Sequence, residues 1–274
     1  MKLAKRVVVK IGSAILLNGK TALDPKMFAN LANQIATLHK KGYELVIVSS
    51  GAIAAGMTRL GIKKRPETIS QKQALAAAGQ TQLMHFYEKA FAKHKLKVAQ
   101  LLLTRDDLTH RTRYLNAHHT VEALLEMQII PIINENDSVA VEEIKFGDND
   151  QLAALATNFV NADLMIILSD IDGVFDKDPK KYKDAKLLPV IDKIDDWVRN
   201  FGGDTQTQTS TGGMKTKLLA AEMVAHFGVP TIIANGATKN ILVALLEGKP
   251  AGTKILPREI GSQLSSRKHC IVYT

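Results

Sequence analysis

Six short apolar runs restrict the architectures open to this chain: RVVVKI at 6–11, ELVIV at 44–48, KVAQLLLT at 97–104, IIPII at 129–133, LMIIL at 164–168 and TIIA at 231–234. They are too short for buried helices, rich in Val and Ile, and mostly without polar alternation. Runs of this kind form strands covered on both faces. Helical patterns separate them. Asp24-Pro25 supplies an N-cap and a first-turn proline, Met27, Leu31, Ile35 and Leu38 follow at helical spacing, and Gly42 stops the run. Further helices are predicted over 71–93, 111–127, 151–160 and 218–227. Alternating strands and helices predict an α/β fold, a three-layer αβα sandwich around a mainly parallel central sheet. The 274 residues suffice for one large domain or two small ones, and no linker compels two.

In such sheets ligands bind beyond the carboxyl ends of the strands. There the run 129–133 stops at Asn134-Glu135-Asn136-Asp137, an alternating stretch over 139–146 suggests a small hairpin, and Gly147-Asp148-Asn149-Asp150 closes it. Turn chemistry accounts for one or two Asn or Asp residues, not for six within seventeen. A polar site is expected. Lys10, ahead of Gly12-Ser13, either snorkels from a sheet edge or offers an ammonium beside free backbone N–H groups. Ser49-Ser50-Gly51 leads into a helix start, either a tight turn or a place for a carboxylate or phosphate. The Gly-, Ser- and Thr-rich stretch 202–213 feeds another helix, with Lys217 in its first turn, where the helix dipole disfavours a cation. A lysine kept there points to function.

Other chemistries lose support. Neither a P-loop motif nor a strand-linked G-x-G-x-x-G occurs, and protein-kinase signatures are absent. The stretch from Ser169-Asp170 to Pro179 lacks EF-hand spacing and suits a nucleotide-binding loop or a plain turn. His118-His119 point about 100° apart on a helix and have no partner at metal-ligand spacing. A net charge of +9 is spread over short groups without interleaved aromatics, which fits a solvated surface better than a nucleic-acid groove. No run approaches the ~18 apolar residues of a membrane span. Cys270 is the single cysteine, which excludes intramolecular disulfides and fits a cytoplasmic protein. What remains is two lysines on glycine turns with acids between them, a set suited to phosphoryl transfer, where catalysis is positioning and charge stabilisation.

The segments VVVKIGS, VSSGAIAAG, INENDSV, KFGDNDQLAALA, LSDIDGVFDKDP and STGGMKTKLLAA, in this order, resemble the amino-acid kinase family, and within it the members acting on glutamate. The resemblance implies ATP-dependent phosphorylation of the γ-carboxylate of L-glutamate, with Mg²⁺ carried by the nucleotide and no metal held by protein ligands alone. It implies catalytic roles for Lys10, Lys217 and Asp150, the last orienting both lysines. Ser50, Gly51, Asn134, Asp137, Asp148 and Asn149 would form the glutamate site, with Asp148 assisting either the substrate or Mg²⁺. Lys10, Ser169, Asp170, Thr211, Gly212, Gly213, Met214, Lys215, Thr216 and Lys217 would meet the nucleotide. Also implied are a kinase domain over 1–258, with a glutamate lobe to about 160 and an ATP lobe after it, and a tail at 259–274 without the RNA-binding-type (PUA) domain of many relatives. Proline as feedback inhibitor, glutamyl phosphate reductase as partner, and a homo-oligomer (dimer or tetramer) complete the expectation. No membrane or nucleic-acid partner is implied. Ser169 and Ser210 depart from the family pattern, which more often has Thr and Gly there.

Overall fold

The computed structural model describes residues 5–18, 22–140, 149–195, 198 and 213–258. Its elements run β1 (Arg6–Ile11), α1 (Ser13–Leu16), β2 (Leu17–Asn18), β3 (Ala22–Leu23), α2 (Pro25–Lys40), β4 (Glu44–Ser49), α3 (Ala52–Arg59), α4 (Ile69–Ala92), β5 (Lys97–Leu103), α5 (Arg105–Thr109) and α6 (Arg111–Glu126). They continue as β6 (Ile129–Glu135), α7 (Asn149–Phe159), β7 (Leu164–Ser169), β8 (Val190–Ile191), α8 (Met214–His226), β9 (Thr231–Asn235), α9 (Ile241–Leu246) and β10 (Thr253–Ile255). All six predicted strands form. They join in one sheet ordered β5-β6-β4-β1-β7-β9-β10-β8, parallel except where β10 meets β9. Two further strands that no apolar run announced join the sheet. β10 and β8 extend the edge in pieces of three and two residues, too short to register as apolar periods.

Strand alternation sorts the two faces. Val7, Val9 and Ile11 of β1 pack with Phe28, Leu31 and Ile35 of α2 and with Leu83, Tyr87 and Phe91 of α4. Val8 faces the opposite layer, with Leu152 and Phe159 of α7 and Leu218 and Val224 of α8. Lys10 has the parity of Val8, so the strand period alone sends it toward α7 and α8. β1 lies between β4 and β7. The chain moves to one side of β1 first and to the other later, which makes the carboxyl end of β1 a topological switch point.

One helix contact depends on glycine. A Cβ at Gly79 of α4 would lie 1.9 Å from the Ala52 carbonyl oxygen and 2.3 Å from the Gly56 nitrogen of α3. A Cβ at Gly56 would lie 2.0 Å from the Leu75 carbonyl oxygen. The backbones therefore touch. Because the obstructing atoms are backbone, Gly79→Ala must push α3 outward. We expect a loss of about 1–3 kcal/mol in chemical denaturation, the usual cost of overpacking. An unchanged midpoint would mean that the helices are not in backbone contact.

Candidate active site

Lys10 is the penultimate residue of β1, Asp150 lies in the first turn of α7, and Lys217 lies in the first turn of α8. The three side chains converge. Lys10 Nζ is 2.5 Å from Asp150 Oδ1, and Lys217 Nζ is 3.0 Å from Asp150 Oδ2. All three are buried, Asp150 completely. The Thr216 hydroxyl lies 3.1 Å from Asp150 Oδ2 and 2.9 Å from the Gly213 carbonyl. Each location has its electrostatic logic. The α7 N-terminus favours the carboxylate, whereas the α8 N-terminus opposes the Lys217 ammonium. Asp150 offsets that opposition and the repulsion between the two lysines. Two ammoniums thus share one carboxylate in a nearly dry place. A further anion about 4 Å from one ammonium gains on the order of 4 kcal/mol at an effective dielectric of ~20.

Beside this triad runs a wall of amides. Asn149 Nδ2 reaches the Ser49 carbonyl at 2.5 Å, Asn134 Oδ1 at 2.8 Å and Ser50 Oγ at 3.0 Å. Asn134, at the end of β6, also accepts from the Glu135 N–H and donates to Gln80 Oε1. Gly51 holds the turn after β4 at φ 107°, a conformation that L side chains rarely adopt. Helix starts without a side-chain cap include three near this site; α6 and α9 lack one too. Gly12, Gly51 and Gly213 begin α1, α3 and α8 without a side-chain cap, whereas Asp24, Thr68 and Thr104 cap α2, α4 and α5. Uncapped N–H groups at α3 and α8 are left for anions.

The structure thus brings together Lys10, Asp150, Lys217, Asn149, Asn134 and Ser50, with Gly51 completing the turn. Asn149 and Asp150 were expected in the loop ahead of a helix from 151 but are its first residues. Asp137 is half-buried just past β6. Ser169 is buried at the end of β7 and its hydroxyl donates to Asp170, which is exposed. Gly213, Met214, Lys215 and Thr216 open α8, with Lys215 exposed. Asp148, Thr211 and Gly212 lie outside the described residues, as do Ser210, most of the suggested hairpin at 139–146 and the tail from 259. His118 serves packing: its Nδ1 is 2.8 Å from the Phe159 carbonyl, and its ring meets Phe159 edge-on.

Sequence reasoning missed the support supplied by α4. Gln73, Gln80 and Tyr87 recur every seven residues and so share one face, drifting about 20° per step. Gln73 Nε2 donates to the Ala140 carbonyl, Gln80 accepts from Asn134, and the Tyr87 hydroxyl lies 2.8 Å from Ser49 Oγ, which in turn donates to the Ser50 carbonyl. Burial pushes the Tyr87 phenol well above its usual range, only partly offset by Ser49, so it stays protonated and can donate. A polar residue every seventh position in an alanine-rich helix was the available signal.

The model of the amino acid kinase family matches residues 5–235. The chain belongs to the amino acid kinase family. A glutamate 5-kinase of Geobacter metallireducens is 47% identical over 274 residues, covering 100% of this chain and 73% of that protein. A glutamate 5-kinase of Geobacter sulfurreducens is 48% identical over 270 residues, 98% of this chain and 72% of that one. Among solved structures, carbamate kinase from Giardia lamblia bound to AMP-PNP superposes with a TM-score of 0.64 at 20% identity, covering 93% of this chain and 99% of that one. At that identity the likeness is one of fold. This amino acid kinase therefore has the family's parallel sheet and, at its switch point, two buried lysines on a single carboxylate.

Proposed function

We propose that the protein transfers the γ-phosphoryl group of ATP to the γ-carboxylate of L-glutamate, forming L-glutamyl 5-phosphate and ADP, the first step of proline synthesis from glutamate. The observation that carries this reading is the Lys10–Asp150–Lys217 triad, whose two ammoniums are buried on one carboxylate beside a wall of hydrogen-bonding amides. The glutamate 5-kinases that match along the whole chain support the choice of acceptor.

The acceptor needs no general base. A glutamate carboxylate with a pKa of ~4.3 is ionised at neutral pH. Its oxygen attacks the γ-phosphorus as the bond to the bridging oxygen breaks, and that oxygen leaves on ADP. The obstacle is the approach of one anion to another. Lys10 and Lys217 relieve it by holding the oxygens of the transferring group, and Asp150 keeps both ammoniums aimed. Ser50, Gly51, Asn134, Asp137, Asp148 and Asn149 hold glutamate. Ser169, Asp170 and the segment from Thr211 to Lys217 meet the nucleotide. Mg²⁺ arrives on the nucleotide, because the acid at the centre of the site is already engaged by both lysines. In this reading residues 1–258 form the kinase domain, with the glutamate lobe before about 160. Proline competes at the glutamate site, glutamyl phosphate reductase takes up the product, and the enzyme works in the cytoplasm as a homo-oligomer.

Hydroxylamine trapping of the acyl phosphate tests the reaction. ATP- and glutamate-dependent hydroxamate is expected. Its absence with glutamate, together with its appearance with another carboxylate, would transfer the assignment to a different acceptor.

A further inference from the structure

Gln80 carries a hydrogen-bond donor that nothing among the described residues accepts. The residue is 8% exposed, its Oε1 accepts from Asn134 Nδ2 at 2.8 Å, and its Nε2 is buried without a partner there. The surrounding network dictates which end of the amide is which. The Glu135 backbone N–H, a donor in any arrangement, meets Asn134 Oδ1 at 2.9 Å. The Ser49 carbonyl, an acceptor in any arrangement, fixes Asn149 Nδ2, which then also meets Asn134 Oδ1. Asn134 must therefore turn its oxygen to these two and its NH₂ to Gln80. Gln80 answers with its oxygen, and its own NH₂ is left over. A buried donor without an acceptor is costly, and a native structure retains one where a ligand or ordered water completes it.

The position of Gln80 narrows the choice. It ends the chain Gln80–Asn134–Asn149–Ser50, which runs along the acceptor wall to the Gly51 turn. Glutamate as acceptor has two carboxylates. The one being phosphorylated must face Lys10 and Lys217, so the other needs neutral donors elsewhere. We infer that Gln80 is a specificity-determining residue whose Nε2 donates to the acceptor carboxylate that is not phosphorylated. The inference rests on the glutamate reading above and adds to it a contact made from the helix layer rather than from a strand end. Donation to an ionised oxygen is stronger than donation to a neutral one, which lets a single amide weigh on selectivity.

Two variants separate the roles of the amide. Gln80→Glu keeps an oxygen for Asn134 and puts an anionic oxygen in place of the donor; Gln80→Met removes both groups at similar size. In the hydroxamate assay, Gln80→Glu should raise KM for glutamate by about 10–100-fold, the value of a hydrogen bond to a charged group. Gln80→Met should raise it by about tenfold, with kcat and KM for ATP within about threefold of wild type in both. Glutamate titrated calorimetrically without nucleotide should weaken in parallel. If Gln80→Glu does not fold, the Met variant carries the test. Wild-type KM for glutamate in a variant that has only lost thermal stability would overturn the inference and leave the kinase reading standing. No wild-type turnover with glutamate would overturn both.

Discussion

Asp150→Ala is expected to lower turnover by at least about 10³ and stability by about 3–5 kcal/mol. The two effects share one cause. In the native protein Lys10 and Lys217 are held by opposite oxygens of a carboxylate that is itself fully buried. Without it, two ammoniums remain in a place with little water, repelling one another and deprived of the partner that aims them. Breaking a buried ion pair from one side is among the most damaging single changes a protein can suffer, because the remaining charge has nowhere to go. Asp150→Asn retains shape but not charge and should fall between the variant and wild type in both measurements. Single-turnover kinetics and urea denaturation read the two effects separately. Turnover within about tenfold of wild type in Asp150→Ala would remove the carboxylate from the mechanism.

Lys217→Ala separates function from stability. Turnover should drop by about 10²–10³, the loss that follows removal of one donor to a developing charge. Stability should hold or rise slightly. Both ammoniums share the one carboxylate of Asp150, so they repel one another, and Lys217 sits at a helix N-terminus that disfavours it. Removing it leaves Asp150 still paired with Lys10. Opposite signs of this kind mark a residue kept for chemistry at the expense of folding. A drop in kcat of less than about tenfold would argue that Lys10 acts alone, and a large fall in the denaturation midpoint would show that Lys217 is structural.

The contrast between these variants and Gly79→Ala locates the roles in the fold. The glycine change acts where α3 and α4 touch and reaches the site through the Gly51 turn and through Gln80, the next residue of α4. The lysine and aspartate changes act on the site itself. A variant set that lowered activity uniformly, with activity tracking stability throughout, would contradict this division.

Much of the fold was legible because its signals are local. A run such as LMIIL states its own burial, Asp24-Pro25 states a helix start, and Gly42 an end, each within a few residues. The short strands β8 and β10 were not legible, since two or three residues hold no period and their pairing depends on where β9 already lies. The site divides in the same way. Lys10, Lys217 and the cluster of Asn and Asp after β6 stood out as polar groups at the ends of strands and the starts of helices. Gln73, Gln80 and Tyr87 did not, because a polar residue on a helix looks solvated until something packs against it.

What the amino-acid order determined by itself was the list of elements, the parity that turns Lys10 to the side of Val8, and the presence of two lysines where a lone ammonium is disfavoured. What only the tertiary structure decided was that both lysines share Asp150, which lies 67 residues from Lys217. Periodicity and capping are short-range effects written into neighbouring residues. The meeting of β1, α7 and α8 depends on strand order in the sheet, a sum over many weak packing contacts that no single stretch of the chain contains.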